Sequence, residues 1–408
     1  MHVAIILLRT GVAGHTRSGL TVGTALVKRG HEVSLFVSRG ADLSVVASSD
    51  LRYFPVADLP DRPSMDLLQA LGQLHASQPI DVVHSFNQRG LSEAMWFGYR
   101  NSVRVAHTLC GGPPARDILD VPGMVVFTEE QRRNFAHRMR SGTAGPLVLP
   151  NRVDFDDFAM TLNARSPSDR SEFLQKYDID PAAPILMRIS RVKPKYERSV
   201  LEGVAAVQAL NAAGCRCSFL HIGVVQDQAS MSRIAEAVRT ANALSGTTIA
   251  ASVQDEATNA AQWLPLASVV LGAGRSAIEA MFAGIPVIVL GDAGFSGLVT
   301  KESVAEQAAY NFAGRDVSVP LAPEDSVARL VDALRTIWQH PDTLRELSKF
   351  TQQWASENMD VHTGVPKYEH LWEHLSPPST RQLLELSRFS ATRWGRIHLA
   401  RIKRSLGV

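Results

Sequence analysis

The chain has 408 residues, 45% hydrophobic and 20% charged, with a formal net charge of +2. That length supplies two ordinary α/β domains rather than one core, and so small a charge gives no reason to expect a nucleic-acid partner. Its three cysteines, Cys110, Cys215 and Cys217, are too few and too badly spaced for a disulfide framework, which fits a reducing cytoplasm.

Residues 3–8 are an apolar run ended by Arg9, too short for a signal core or a membrane span, and they read as a first buried strand. Gly11, Gly14 and Gly19 follow, then a helical stretch closed by Gly30 and a second apolar strand at 33–37. Strand, Gly-rich turn, helix and strand make a βαβ unit with a right-handed crossover. Further buried strands are expected at 79–84, 103–107 and 124–128.

At residues 147–154 this rhythm breaks, and a stretch rich in Asp, Arg and Ser runs to about 180. The expected division is therefore an N-terminal Rossmann-like domain, 1–152, and a second domain, 153–360. A new βαβ series starts at 184–190, with a helix over 198–213 and strands at 217–222, 247–251, 268–271 and 286–290. Residues 324–375 carry helical periodicity, and 361–378 are expected to return to the first domain. Pro377-Pro378 then precedes a tail, 379–408, with seven basic residues and one acid. Ligands of such sheets lie beyond the carboxyl ends of the strands, so two halves facing each other would share one deep cleft.

The most informative segment is Leu271-Gly-Ala-Gly-Arg-Ser-Ala-Ile-Glu279. A strand enters a loop containing Gly272 and Gly274, and a helix begins near Arg275 and Ser276. Amides at such a helix start, with the helix dipole behind them, suit a diphosphate, and glycines let it approach closely. Glu279, one turn into the helix, could accept two hydrogen bonds from a ribose diol; a capped helix with a solvated acid explains the same pattern. Gly223, after the strand at 217–222, joins this set of candidate nucleotide-binding residues.

Glu279-Ala-Met-Phe-Ala-Gly-Ile-Pro-Val287 resembles the Glu-Ala-Met-x-x-Gly-x-Pro-Val helix of family 4 of the glycosyltransferases. Lys28-Arg-Gly-His-Glu-Val33 after Ala13-Gly14, and Pro150-Asn-Arg-Val-Asp154, are similar to that family's opening loop and hinge, so the likeness spans nearly the whole chain. The resemblance implies a GT-B fold, two Rossmann-like α/β domains facing across a cleft. It also implies retaining transfer from a nucleotide-diphosphate sugar, with the leaving phosphate taking the acceptor proton and the hinge at 151–154 closing to exclude water. By that resemblance Arg191 and Lys195 bind and neutralise the diphosphate, with Lys193 competing for the second role.

Two positions depart from the family. Its Glu-x7-Glu pattern puts a carboxylate where Leu271 stands, leaving the donor sugar to the amides of residues 272–275. Its Thr-x-His-Gly has Cys110 at the histidine, with His107 three residues earlier at an expected strand end. Gly14 and His15 of the N-terminal loop are assigned to phosphate or acceptor, with His84 and residues 90–95 at the acceptor edge.

In the tail Leu383, Leu386, Phe389, Trp394 and Ile397 recur at helical spacing among arginines. This fits a peripheral contact with an anionic membrane face on the cytoplasmic side, and equally a helix packed on the first domain. No metal and no cofactor is expected. The acceptor could be a glycan, a lipid-linked glycan or a small molecule. The rival readings are a sugar-nucleotide epimerase and a silent GT-B partner subunit.

Overall fold

The computed structural model describes residues 1–8, 14–40, 51–57, 64–86, 88–111, 120–136, 145–291, 293–316 and 319–388, with Gly14 and His15 described by their backbone alone. The chain divides into two compact units, one made of residues 1–152 and 361–408, the other of 153–360.

Unit 1 runs β1 (His2–Leu7), α1 (Gly14–Lys28), β2 (Glu32–Ser38), β3 (Arg52–Val56), α2 (Met65–Ser77), β4 (Val82–Ser85), α3 (Leu91–Asn101), β5 (Arg104–Leu109), β6 (Gly123–Val126), α4 (Glu129–Ala136) and β7 (Leu147–Val148). Its seven strands lie in the order β3-β2-β1-β4-β5-β6-β7, every pair parallel. All six residues of β1 are buried, as a central parallel strand covered on both faces requires. The edge strand β3 was not expected from sequence: it is half exposed and carries Pro55, which an edge tolerates.

Unit 2 runs α5 (Phe155–Leu162), α6 (Pro167–Lys176), β8 (Ile185–Ile189), α7 (Pro194–Ala212), β9 (Ser218–Ile222), α8 (Gln228–Ser245), β10 (Ala250–Val253), a 3-10 segment (Ala257–Leu266), β11 (Val269–Gly272), α9 (Arg275–Phe282), β12 (Val287–Gly291), β13 (Gly294–Leu298), α10 (Val304–Ala309), α11 (Pro323–Gln339) and α12 (Pro341–Met359). The order is β10-β9-β8-β11-β12-β13, parallel except for the final pair. The polar stretch after residue 154 is two helices, not an irregular linker. Asp154 caps α5 by accepting from the Asp157 amide, and Ser166 with Asp169 forms a capping box on α6.

The last element, α13 (Val361–Glu373), belongs to unit 1. It is fastened there by Val361, Val365, Tyr368 and Trp372, all buried in the cluster that holds Ile5, Leu7 and Leu35. At its polar edge Glu369 accepts from the Arg29 guanidinium twice at 2.7 Å and pairs with His31 Nε2 at 2.7 Å. Leu383 and Leu386 are also buried in unit 1, so they are core residues and not part of a membrane-facing stripe. Phe389, Trp394 and Ile397 lie outside the described residues. Among the described residues no helix is long and apolar enough to cross a membrane.

Candidate functional site

In unit 2 the connections leaving β8 and β11 run to opposite sides of the sheet, β8 to β9 and β11 to β12. These two strands are neighbours, with Val269 beside Leu186 and Val270 beside Met187. Their carboxyl ends therefore form a topological switch point, the place where open α/β sheets bind ligands. The segment 190–195 leaves one strand there and the segment 272–276 leaves the other.

The β8 side gathers cations around one ring. Arg191, Lys193 and Lys195 place their charges 5.5, 5.0 and 5.7 Å from the centroid of Tyr196, and Arg191 Nη2 donates to the Tyr196 hydroxyl at 3.2 Å. Lys193 is the N-cap of the 19-residue α7 and Lys195 its second residue. Three like charges at the positive end of a helix dipole repel one another and the dipole. Burial first, and then the Arg191 charge, push the Lys193 ammonium below its ordinary pKa. Glu197, the acid of that first turn, is taken by Arg233 from α8 at 2.7 Å. The turn after β8 thus gathers three positive charges at the first turn of α7.

Gly223 supports this turn from the next strand. A Cβ there would lie 1.8 Å from the Ser190 carbonyl oxygen, so only glycine lets the loops after β8 and β9 lie so close. His221 reinforces the junction, with Nε2 3.0 Å from Ser190 O and Nδ1 2.9 Å from Ser252 Oγ. The carbonyl can only accept, so Nε2 carries the proton. Burial holds this histidine down to about 4.

The β11 side is a tight loop. Gly274 takes φ 61° and ψ −128°, a conformation open only to glycine, and caps α9. Its amide donates to Phe312 O at 3.0 Å, and the Ala273 amide to Ser276 Oγ at 3.3 Å. The loop amides at 273 and 274 are thus engaged within the protein, which corrects the expectation that they hold the donor; the Ser276 amide lies in the first turn of α9, where the helix supplies no acceptor. Glu279 is buried, and its Oε1 accepts from Arg275 Nε at 2.7 Å.

Leu271 lies inside β11, fully buried among Phe219, Val204 and Leu290. The residue standing where the resemblance would put a carboxylate is therefore a core side chain. Two neighbours were not read from sequence. Arg188, buried in β8, donates through Nη1 to Leu271 O at 3.1 Å and Leu290 O at 3.0 Å, tying the ends of β11 and β12 to β8. An arginine inside an apolar strand pattern carried no signal of that task. Asn311, with φ 54°, brings its Nδ2 to 3.5 Å from where a Gly274 Cβ would stand, so it borders the loop.

In unit 1 the switch point lies between β1 and β4. Gly14 and His15 open α1 after β1. His107 sits within β5 rather than at its end, 2% exposed, with Nδ1 donating to Ser85 O at 3.0 Å. His84 is fully buried: Trp372 Nε1 donates to its Nδ1 at 3.1 Å, so its Nε2 carries the proton toward Thr108 Oγ1 at 2.7 Å. It is a packing residue beneath α13 and not an acceptor-edge group. Burial lowers His84 to about 3 and His107 to about 4, so both are neutral at pH 7. The half-buried Cys110 thiol donates to Phe86 O at 3.3 Å, and burial raises its pKa, which keeps it a thiol.

No family model matches the chain, and no curated protein matches it. Solved structures do. A glycosyltransferase from Rickettsia africae superposes with a TM-score of 0.68 at 14% identity, over 91% of this chain and 97% of that one. HepE of Anabaena in complex with UDP and glucose gives 0.63 at 14% identity, over 92% and 100%. UDP-GlcNAc 2-epimerase from Neisseria meningitidis bound to UDP-GlcNAc gives 0.57 at 13% identity, over 91% and 99%. The fold is that of the GT-B glycosyltransferases, with two Rossmann-like α/β domains. Identities this low speak for the fold alone.

Proposed function

We propose that the protein is a nucleotide-sugar-dependent glycosyltransferase whose donor binds unit 2 at the β8/β11 switch point. The observation that carries this reading is the set of three cations, Arg191, Lys193 and Lys195, around Tyr196 at the N-terminus of α7, on the strand adjoining the glycine loop that opens α9. A diphosphate would meet the cations on one side and the start of α9 on the other. Glu279 would accept from the ribose hydroxyls. As the bond between sugar and phosphate breaks, negative charge grows on the departing nucleotide, and Arg191 and Lys195 stabilise it. The HepE structures, solved with UDP and with UDP-glucose, agree with a uridine nucleotide as the first donor to try.

The finer reading is retaining transfer of a hexose, in the manner of family 4, to an acceptor held by unit 1 near Gly14 and His15. The resemblance to family 4 implies that the leaving phosphate itself takes the acceptor proton, and burial of His84 and His107 keeps both away from that role. Contact of the basic tail, 379–408, with an anionic membrane face would bring a lipid-linked acceptor to the enzyme.

The burial of Leu271 favours a second reading, a catalytically silent GT-B subunit that binds a partner transferase. Thermal unfolding with UDP, GDP, ADP, CMP and dTDP, each with and without Mg²⁺, followed by a donor-hydrolysis assay, separates the two. A selective shift followed by hydrolysis supports transfer, and no shift with any nucleotide rejects it in favour of the silent partner subunit.

A further inference from the structure

On the far end of α13 three metal-ligating side chains share one face. His370, Glu373 and His374 stand at i, i+3 and i+4, the spacing that stacks side chains on a helix. A ligand atom from each, two imidazole nitrogens and one carboxylate oxygen, lies within 4.8 Å of the other two. The two imidazoles sit 4.3 Å apart by ring centroid. All three side chains are exposed, and the two histidines with one carboxylate are a donor set for borderline divalent ions rather than for Mg²⁺ or Ca²⁺.

The tautomer of His374 is already set. Its Nδ1 lies 2.7 Å from the His370 main-chain oxygen, which can only accept, so Nδ1 carries the proton and Nε2 presents a lone pair outward. A backbone carbonyl holding the second ring nitrogen is the usual support behind a metal-binding imidazole. The same bond satisfies one of the carbonyls orphaned at the helix end.

The helix end is also held rigid. Tyr368 and Trp372, on its opposite side, are buried in the core of unit 1, and Trp372 donates to His84. One residue past the cluster, Leu375 packs so closely on the sheet that a Cβ at Gly123 would come within 2.5 Å of it. The ligands need only choose rotamers to close on an ion, which keeps the ordering cost small. Glu369, one residue earlier, is committed to Arg29 and His31, so it does not compete.

We propose that His370, Glu373 and His374 form a surface site for a borderline divalent transition-metal ion, Zn²⁺ being the probe of choice. Three protein ligands leave a tetrahedral ion one open position for water, an anion or a group from another molecule. The site is built from residues of unit 1 alone and uses none of the donor residues, so it does not depend on the transferase reading.

The test is calorimetric titration of the chelator-treated full-length protein with ZnCl₂ at pH 7.5. One saturable site is expected, with affinity falling by about tenfold or more, at least about 1.4 kcal/mol, in H370A and in H374A. E373Q should weaken it less, and H340A, an exposed histidine of unit 2, should leave it unchanged. Thermal unfolding in Zn²⁺ provides a second readout, with the midpoint rising in the wild type and not in H370A/H374A. Unchanged affinity in H370A/H374A would place the ion elsewhere and overturn the proposal, and so would the lack of any saturable binding.

Discussion

Glu279 and Gly223 put the donor assignment at risk one side chain at a time. Replacing Glu279 by Ala removes a carboxylate that would accept charge-assisted hydrogen bonds from the ribose, and donor affinity should fall by about 2 kcal/mol, roughly thirtyfold. The same change strips Arg275 of its partner at 2.7 Å. Glu279→Gln keeps an acceptor and should lose less, and calorimetric titration with UDP reads both. Affinity unchanged in both variants would remove Glu279 from the site. At Gly223 the argument is steric. A methyl group 1.8 Å from Ser190 O forces the two loops apart, so G223A should cost about 1 to 3 kcal/mol of stability and weaken nucleotide binding together, since Arg191 follows directly on Ser190. Full binding in a stable G223A protein would mean that the turn at 190–195 does not hold the donor. Glycines and charged residues in loops are legible because their chemistry is out of place in a core. Arg188 was not, since one arginine in an apolar strand looks like an interruption until its two carbonyl acceptors are seen. The His370, Glu373 and His374 cluster was missed although a helix was expected there, because helical spacing brings many polar side chains together on a surface face and only the structure shows three ligand atoms within 4.8 Å of one another.

Elements differ in how plainly they announce themselves. Buried parallel strands such as β1 and β12 show as nearly continuous apolar runs because both their faces are covered. The edge strands gave no such signal: β3 contains Pro55, and β13 carries two glycines at positive φ against a partner with a register shift. Helices α5 and α6 were hidden by the acids and serines that cap them, which read as linker when burial is unknown. The helix α13 is the element whose packing makes the sharpest prediction. Trp372 is fully buried and supplies the proton that His84 Nδ1 accepts, so W372A should cost about 3 to 5 kcal/mol in urea unfolding. W372F keeps most of the ring and leaves only His84 Nδ1 without a donor, for about 1 to 3 kcal/mol. A W372F protein as stable as the wild type would mean that the indole N–H contributes nothing and that packing alone fastens α13, whereas a loss equal to that of W372A would put the whole effect on the hydrogen bond to His84.

At the scale of the whole molecule the buried histidines set the response to acid. His84 and His107 in unit 1 and His221 in unit 2 are held at about 3, 4 and 4, chiefly by burial, whereas each would titrate near 6.5 in the unfolded chain. Between those values the unfolded state binds protons that the folded state refuses. Stability is therefore complete above about pH 6.5 and falls as the pH drops toward 4. Each histidine contributes a slope of at most about 1.4 kcal/mol per pH unit, so unit 1, with two, loses stability at up to about twice the rate of unit 2. Carboxylates held low by ion pairs, Glu129, Glu197 and Glu369, add to acid lability through the same linkage, but only below about 4.5, where an unfolded glutamate begins to protonate. The window from 6.5 down to 4.5 thus isolates the histidines. Urea unfolding across that window should show the steeper loss in unit 1. H84N, which cannot titrate, should reduce the slope for unit 1 by about half even if it lowers stability at every pH. A stability that stays flat from pH 7.5 to 5 would mean that the three rings protonate in place, and that the sheets are looser around them than their burial implies.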